Sequence, residues 1–334
     1  MTAPVAIVGN LNVDLWVRPV ARFPQSDEEI VVDSARLELA GTAGYMLHAC
    51  RALGIPAVTV STIGDDAFGA AVVREMERLG ASLAGVETLP GEETSVGIVF
   101  VAPDGARGLL STLGAHREMS VAIARRHDAA VAACREVILC GNYLLPQFGP
   151  ADVVDYARKA RSRGQTIFFD PSWDPAGWTA RTRDKTFALL QTVDCYLPNE
   201  AEVLHLTGRN DLAAAIAEVA ALAGDVVVKR GADGAIWARG DKRVAVPAFA
   251  VDAVNTIGAG DIFDIGYLYG RRQEWPPTRR LQFAGALAAL VIRQPGARTY
   301  PSAAAVFAFL HDRTGDAAWA IPPTTNESAA ERRR

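Results

Sequence analysis

Short apolar runs closed by Gly, Asn, Asp or Pro recur along the chain: "VAIVGN" (5–10), "AVTVSTIGDD" (57–66), "EVILCGN" (136–142), "TIFFDP" (166–171), "DCYLPN" (194–199) and "DVVVKRG" (225–231). Apolar runs of this length, without regular polar alternation, read as parallel strands buried on both faces. Ala- and Arg-rich segments of helical period lie between them. "AGYMLHACRALG", "AFGAAVVREMERLG" and "PADVVDYARKARSRG" are examples, ending in a Gly that suits a helix C-terminus. Alternating strands and helices predict an α/β fold with a mostly parallel sheet covered by helices on both faces.

Two stretches break this rhythm. Residues 28–39, "EEIVVDSARLEL", alternate apolar and polar positions and predict a half-exposed strand pair; residues 95–111, "SVGIVFVAPDGARGLLS", predict a hairpin turning at "PDG". Neither piece could bury a core alone, so together they predict a small β-sheet lid, built from segments at about 15–39 and 94–114 inserted into one domain at 1–320. The end of the chain, 322–334, is expected to be a disordered tail.

Composition narrows the function classes. Of the 334 residues, 50% are hydrophobic, which excludes disorder for the bulk of the chain, and a net charge of -4 without a basic block argues against a nucleic-acid partner. Cys50, Cys134, Cys140 and Cys195 form no metal-ligand spacing with the histidines and read as buried free thiols of a reducing compartment. The N-terminus "MTAPVAIVGN" has no basic region before its apolar residues, and no run reaches membrane-spanning length. The expectation is a cytoplasmic protein with no membrane partner.

The stretch "NTIGAGD" (255–261) carries candidate chemistry. It joins a strand-like segment to the apolar helix "IFDIGYLYG", so its small residues sit where unpaired backbone N–H groups and the helix dipole favour a phosphate. A carboxylate at Asp261 would repel that phosphate unless it had a task such as accepting a proton from an attacking hydroxyl. An isolated G-x-G-D is more often a turn with Asp capping the helix. Yet the chain has no Walker loop, no dinucleotide fingerprint, no G-x-S-x-G and no H-E-x-x-H to serve as a rival site.

The motifs taken together resemble the ribokinase-like, or phosphofructokinase-B, family of carbohydrate kinases. The family's D-T-x-G-A-G-D matches Thr256 to Asp261, and its Gly-rich N-terminal signature matches "AGTAGYMLHACRALGIPAVTVSTIGDDAFG" at 40–69. Its N-x-D matches Asn12 and Asp14, its N-x-x-E matches Asn199 to Glu202, and its G-x-x-G matches Gly231 to Gly234. The likeness runs from about residue 5 to 312, with the motifs in the family's order. It implies a three-layer α/β/α domain with a β lid, and ATP-dependent phosphorylation of a hydroxyl on a small sugar or sugar-like substrate.

By this resemblance Asp261 is the catalytic base, and the backbone of Gly258, Ala259 and Gly260 is the anion hole. Asn12, Asp14, Gly41, Tyr45 and Asn142 fall on the substrate side. Asn199, Lys229, Gly231, Gly234, Thr256, Gly258, Gly260 and Gly285 fall on the ATP side, and Asn199 and Glu202 hold Mg2+. Read without the resemblance, Asn12 and Asp14 make an Asx turn ending the first strand, and "NEAE" makes an N-cap with a solvated first turn.

The chain departs from the family at three points. Tyr45 replaces an Asn that contacts the sugar, which predicts a reshaped pocket. Asn255 replaces the first Asp of the signature, which weakens the expectation of a monovalent cation. Ala284–Gly285 replaces an Ala–Asn pair near the adenine. Rival readings are a nucleoside kinase with Tyr45 stacking on a base, and a non-catalytic sugar- or nucleotide-binding regulator. A homodimer through lid strands is also compatible with the exposed edges expected in 28–39.

Overall fold

The computed structural model describes residues 3–103, 107–294 and 299–320. In chain order the strands are β1 (Val5–Gly9), β2 (Asn12–Arg18), β3 (Ser34–Ala40), β4 (Ala57–Gly64), β5 (Val86–Leu89), β6 (Val96–Val101), β7 (Arg107–Ser111), β8 (Glu136–Cys140), β9 (Thr166–Asp170), β10 (Cys195–Tyr196), β11 (Asp225–Lys229), β12 (Ala235–Arg239) and β13 (Lys242–Val246). The helices are α1 (Gly41–Ala52), α2 (Ala67–Arg78), α3 (Val121–Arg126), α4 (Asp128–Ala132), α5 (Val154–Ser162), α6 (Ala180–Leu190), α7 (Glu200–Thr207), α8 (Leu212–Ala220), α9 (Ala259–Arg272), α10 (Pro277–Ile292) and α11 (Ala303–Thr314).

Within the described residues the main sheet has nine strands in the order β13-β12-β11-β10-β9-β8-β1-β4-β5. The strands from β11 across to β5 pair in parallel, and β12 runs antiparallel to both its neighbours. Every apolar run singled out in the sequence is one of these parallel strands. Side chains alternate between two cores: Val5, Ile7, Ile138 and Phe168 pack with α1, α9, α10 and α11, while Ala6, Val8, Leu139 and Phe169 pack with α5, α7 and α8 on the other face. A strand buried on both faces has no polar side to show, which is why these runs read as continuous apolar stretches.

A second sheet, β3-β2-β6-β7, covers one edge of the domain. It corrects the reading of residues 28–39 as a strand pair. Only Ser34–Ala40 is a strand there, and its antiparallel partner is β2, in register from Asn12–Ala40 to Arg18–Ser34. "NVDLWVR" has strand alternation, but it follows β1 so closely that it reads as a loop. Asn12 and Asp14 therefore stand on a lid strand, not on a turn ending β1. The hairpin at 95–111 is present as the antiparallel pair β6–β7; its turn residues Asp104 and Gly105, like the tail 322–334, lie outside the described residues.

All four cysteines are buried free thiols. Among the described residues no helix is long and apolar enough to cross a membrane.

The chain passes from the main sheet to the lid in two residues, Asn10 and Leu11. The peptide groups of Leu11 meet one buried ring: its N–H donates to His116 Nε2 at 3.2 Å, and its carbonyl lies 3.0 Å from the same atom. Burial lowers the His116 pKa to about 4, with the Leu11 hydrogen bond opposing. A lowered folded-state pKa means that this histidine contributes stability in full above its unfolded pKa of 6.5, and the contribution is lost as pH falls toward 4. The difference corresponds to about 3 kcal/mol. Urea denaturation from pH 7 to pH 4 should show the parent losing stability relative to His116→Gln, and two parallel curves would contradict this.

Candidate active site

Parallel pairing brings the C-terminal ends of β1, β8, β9, β10 and β11 to one edge, where open α/β sheets bind ligands. The polar residues that close the apolar runs gather there: Asn10, Asn142, Asp170, Asn199 and Lys229. Asn199 and Lys229 form a direct parallel bridge.

Lys229 organises the centre of this edge. Its ammonium lies 3.1 Å from Asp170 Oδ2 and 3.0 Å from Asp264 Oδ2, and all three side chains are nearly inaccessible, at 11%, 5% and 0% exposure. Burial alone would lower the lysine's pKa, but Asp170, Asp264, Glu202 and Asp261 outweigh it and raise the pKa instead. For Asp264 burial dominates and pushes the carboxyl well above its usual range, Lys229 opposing and Asp170 adding to the rise. Asp264 stands one helical turn beyond Asp261, so both face the same way from α9. A methyl group placed on Gly260 would lie 3.4 Å from Lys229 Nζ, which puts the lysine directly under the first turn of α9.

The "GAGD" turn itself is built around Gly258. Its φ of +75° is the left-handed conformation that an L side chain adopts only at a cost. A Cβ there would also sit 2.6 Å from Tyr45 Cγ, so the tyrosine ring rests on the turn. Gly258 is the N-cap of α9; the Ala259 N–H donates to the Thr256 carbonyl at 3.2 Å, and the positive end of the helix dipole at Gly260 favours an anion there. The Tyr45 hydroxyl donates to Asp14 Oδ2 at 2.7 Å, and Asn12 Nδ2 donates to Asp14 Oδ1 at 3.0 Å. Gly41, with φ +74°, has room for no side chain, because a Cβ would lie 2.4 Å from Asn12 Oδ1 and 2.5 Å from the Asn10 carbonyl. Asn12, Asp14, Gly41, Tyr45 and Gly258 thus form one contiguous group. The lid closes onto it through Arg107 of β7, whose guanidinium donates to Thr256 Oγ1.

Asn199 and Glu202 are the N-cap and third residue of α7 and form a reciprocal capping box: Asn199 Oδ1 accepts from Glu202 N–H, and Glu202 Oε2 from Asn199 N–H, each at 2.8 Å. The N-cap is present, and the first turn is solvated at Ala201 but not at Glu202, which is 4% exposed. Burial, then the charge of Asp170, raises the Glu202 pKa against the pull of Lys229 and Asn199 N–H. Among the described residues no group of three or more His, Cys, Asp or Glu side chains could hold a metal ion alone.

The remaining candidates are less closely joined to this group. Asn142 is buried, with its amide donating to the Phe148 carbonyl at 2.9 Å. Gly231 and Gly234 bracket the turn between β11 and β12. Gly285 lies on α10 facing Phe249, and the neighbouring Ala284 packs against Gly266. Asn255 Oδ1 accepts from Ile257 N–H at 3.1 Å and so stabilises the turn ahead of "GAG". Asp170, Asp264 and Arg107 were missed in the sequence. A usable signal for the first two was Lys229 itself: a lysine on a buried strand needs carboxylates, and Asp170 ends the apolar run two strands away while Asp264 interrupts an apolar helix.

The chain matches the family model described as "pfkB family carbohydrate kinase" over residues 2–304. It is 29% identical over 316 residues to the ATP-dependent ribose-1-phosphate kinase of Halopiger xanaduensis, covering 92% of this chain and 98% of that protein. It is 27% identical to the deoxyribokinase of Salmonella typhimurium, covering 78% and 82%. Among solved structures, Arabidopsis thaliana ribokinase complexed with ribose and ATP superposes with a TM-score of 0.78 at 24% identity, covering 93% of this chain and 99% of that one. Burkholderia thailandensis nucleoside kinase in complex with inosine gives 0.76 at 21% identity, covering 93% and 99%. The structural likenesses share the fold.

Replacing Lys229 by Met should leave two buried carboxylates without their cation, at a cost of about 3–5 kcal/mol at neutral pH. Burial already raises the Asp264 carboxyl above its unfolded value, and without the lysine nothing opposes that rise, so the stability it contributes is present at low pH and lost as pH rises. The deficit of Lys229→Met should therefore grow between about pH 4 and pH 7 in urea titrations. A deficit independent of pH would mean that the ion pairs are not its source.

Proposed function

The chain belongs to the pfkB family of carbohydrate kinases, and from that premise we propose which of its residues perform the transfer. The protein phosphorylates a hydroxyl of a small sugar or sugar-like substrate at the expense of ATP. Asn12 and Asp14 hold the acceptor's hydroxyls, with Gly41 allowing close approach and the buried Asn142 supporting the same edge of the sheet. Asp261 takes the proton from the reacting hydroxyl. The oxygen attacks the γ-phosphorus, the bond from that phosphorus to the β–γ bridging oxygen breaks, and ADP leaves. The N–H groups of the Gly258–Ala259–Gly260 turn carry the charge that develops on the transferred group, and such transfer depends mainly on positioning and electrostatics.

One observation carries this reading. The side chain of Tyr45 spans from Gly258 to Asp14, so the phosphoryl-binding turn and the acceptor-binding strand are one residue apart. The same contact favours a sugar over a nucleoside: Tyr45 is 3% exposed and its ring already lies on Gly258, leaving a base little to stack upon.

On the nucleotide side we assign Thr256, Gly231, Gly234 and Gly285 to ATP. Lys229 offsets the charge of Asp170, Asp264, Glu202 and Asp261, without which four carboxylates would oppose a triphosphate; its ion pairs support this electrostatic role over a direct grip on phosphate. The buried Glu202 carboxylate, with Oε2 held by the capping box, suits Mg2+ shared with phosphate oxygens and water, and Asn199 fixes its orientation. Mg2+ there would neutralise charge on the phosphates of bound ATP. Asn255 supplies a neutral amide where relatives carry a carboxylate, which supports activity without an added monovalent cation.

We treat residues 1–320 as one kinase domain, with the first lid segment beginning at Asn12. Four buried unoxidised thiols and an ATP substrate support a cytoplasmic location. The outer face of the lid carries a cross-strand row, Leu37, Leu15, Ile98 and Leu110, with Leu37 and Leu110 at 39% and 57% exposure. Apolar rows exposed on that scale mark protein contacts, and we assign this one to a second copy of the chain.

Asp261→Asn should lower turnover by about 10² to 10⁴ with ATP binding retained. The assay is coupled ADP release across free sugars, sugar phosphates, sugar acids and nucleosides; ATP binding without turnover of any acceptor by the parent would favour the regulator instead. Leu110→Glu should convert a dimer to a monomer in analytical ultracentrifugation, and a parent that sediments as a monomer would remove the lid interface.

A further inference from the structure

Away from the catalytic edge a cavity of about 660 Å³ opens between β3, α1, α2 and residues 299–300. Arg36 of β3, Arg51 of α1, and Arg74 and Arg78 of α2 line it, together with the rings of His48 and Tyr300, which stack at 4.7 Å and 7°. None of these belongs to the acceptor or nucleotide groups assigned above.

The charges in this cavity are unbalanced. Arg78 is tied to Glu75 by two hydrogen bonds of 2.7 and 2.8 Å. Among the described residues the guanidinium groups of Arg36, Arg51 and Arg74 have no hydrogen-bond or ion-pair partner. The described lining sets four guanidinium groups against two carboxylates, Glu38 and Glu75, in a chain whose net charge is -4. Like charges gathered in a concavity repel one another and focus a positive potential into it, which an anion relieves.

We propose that this cavity is a second ligand site and that it takes a small phosphate monoester. Guanidinium groups reaching in from three separate elements match the several terminal oxygens of a phosphoryl group, each able to donate paired hydrogen bonds. The volume exceeds what a bare phosphate fills, so the ester's organic part lies against the His48 and Tyr300 rings. The site touches the reaction through two shared elements. Helix α1 carries His48 one turn beyond Tyr45, and on β3 Glu38 stands opposite Asp14 in register. A ligand bridging β3 to α1 and α2 restrains the lid strand that holds the acceptor, so it acts on KM for the acceptor more than on kcat.

Isothermal titration calorimetry of the full chain with inorganic phosphate, and separately with glucose 6-phosphate, tests this. Each titration is run with and without a non-hydrolysable ATP analogue filling the catalytic cleft, on the parent and on the Arg51→Gln/Arg74→Gln double variant. Saturable binding of one equivalent should persist with the analogue bound, be tighter for the ester than for phosphate, and weaken about tenfold or more in the double variant at unchanged thermal stability. No saturable binding, displacement by the analogue, or equal affinity in the double variant would each overturn the proposal, the last two by placing the anion in the catalytic cleft or elsewhere on the surface.

Discussion

Neutralising negative charge at the C-terminal edge of the sheet is the constraint on which this structure turns. A site that receives a triphosphate beside the Asp261 carboxylate starts with an electrostatic conflict, and here Asp170, Asp264 and Glu202 add to it. Lys229 resolves it from inside the protein. Its ammonium is buried, fixed by two carboxylates near 3 Å, and set under the first turn of α9. An exposed lysine would be screened and mobile. Buried among partners, it acts on every charge around it at a lower dielectric.

That ion network also locks the layers together. Asp170 belongs to β9, Lys229 to β11 and Asp264 to α9, so two sheet strands and one covering helix meet in a single cluster. The glycine turn before α9 then has one place to go, and Tyr45 fills the space that Gly258 leaves open. From Tyr45 the connection runs to Asp14 and so to the lid, while His116 holds the two-residue passage between main sheet and lid. Asp261, the Gly258 turn and the strand that carries Asn12 and Asp14 are arranged by contacts between neighbours, each with few alternatives.

The central strands and the "GAGD" turn were legible because each follows from a local rule. A strand covered on both faces must be apolar throughout, and a turn that presents backbone N–H groups needs small residues with access to positive φ. The strand identity of "NVDLWVR" was hidden because its alternation begins two residues after β1, where a loop is the usual expectation; its partner, β3, comes fifteen residues after it ends. The paired roles of Asp170 and Asp264 were hidden for a different reason. Each looks ordinary in its own segment, and only the lysine on β11, distant in sequence from both, explains why a carboxylate belongs there.

By itself the sequence determined the layered α/β architecture, the order of six central parallel strands along the chain, and the place of the glycine turn and the carboxylate that follows it. These depend on periodicity and on backbone geometry within a few residues. Tertiary structure alone decided that Tyr45 rests on Gly258 and not against open solvent, that the N-x-x-E segment is a buried capping box, and that Lys229 is held by carboxylates from two other elements. It also decided that arginines from β3, α1 and α2 share one cavity. Such contacts join residues tens to hundreds of positions apart, and their energy comes from burial and charge that exist only once the layers have closed.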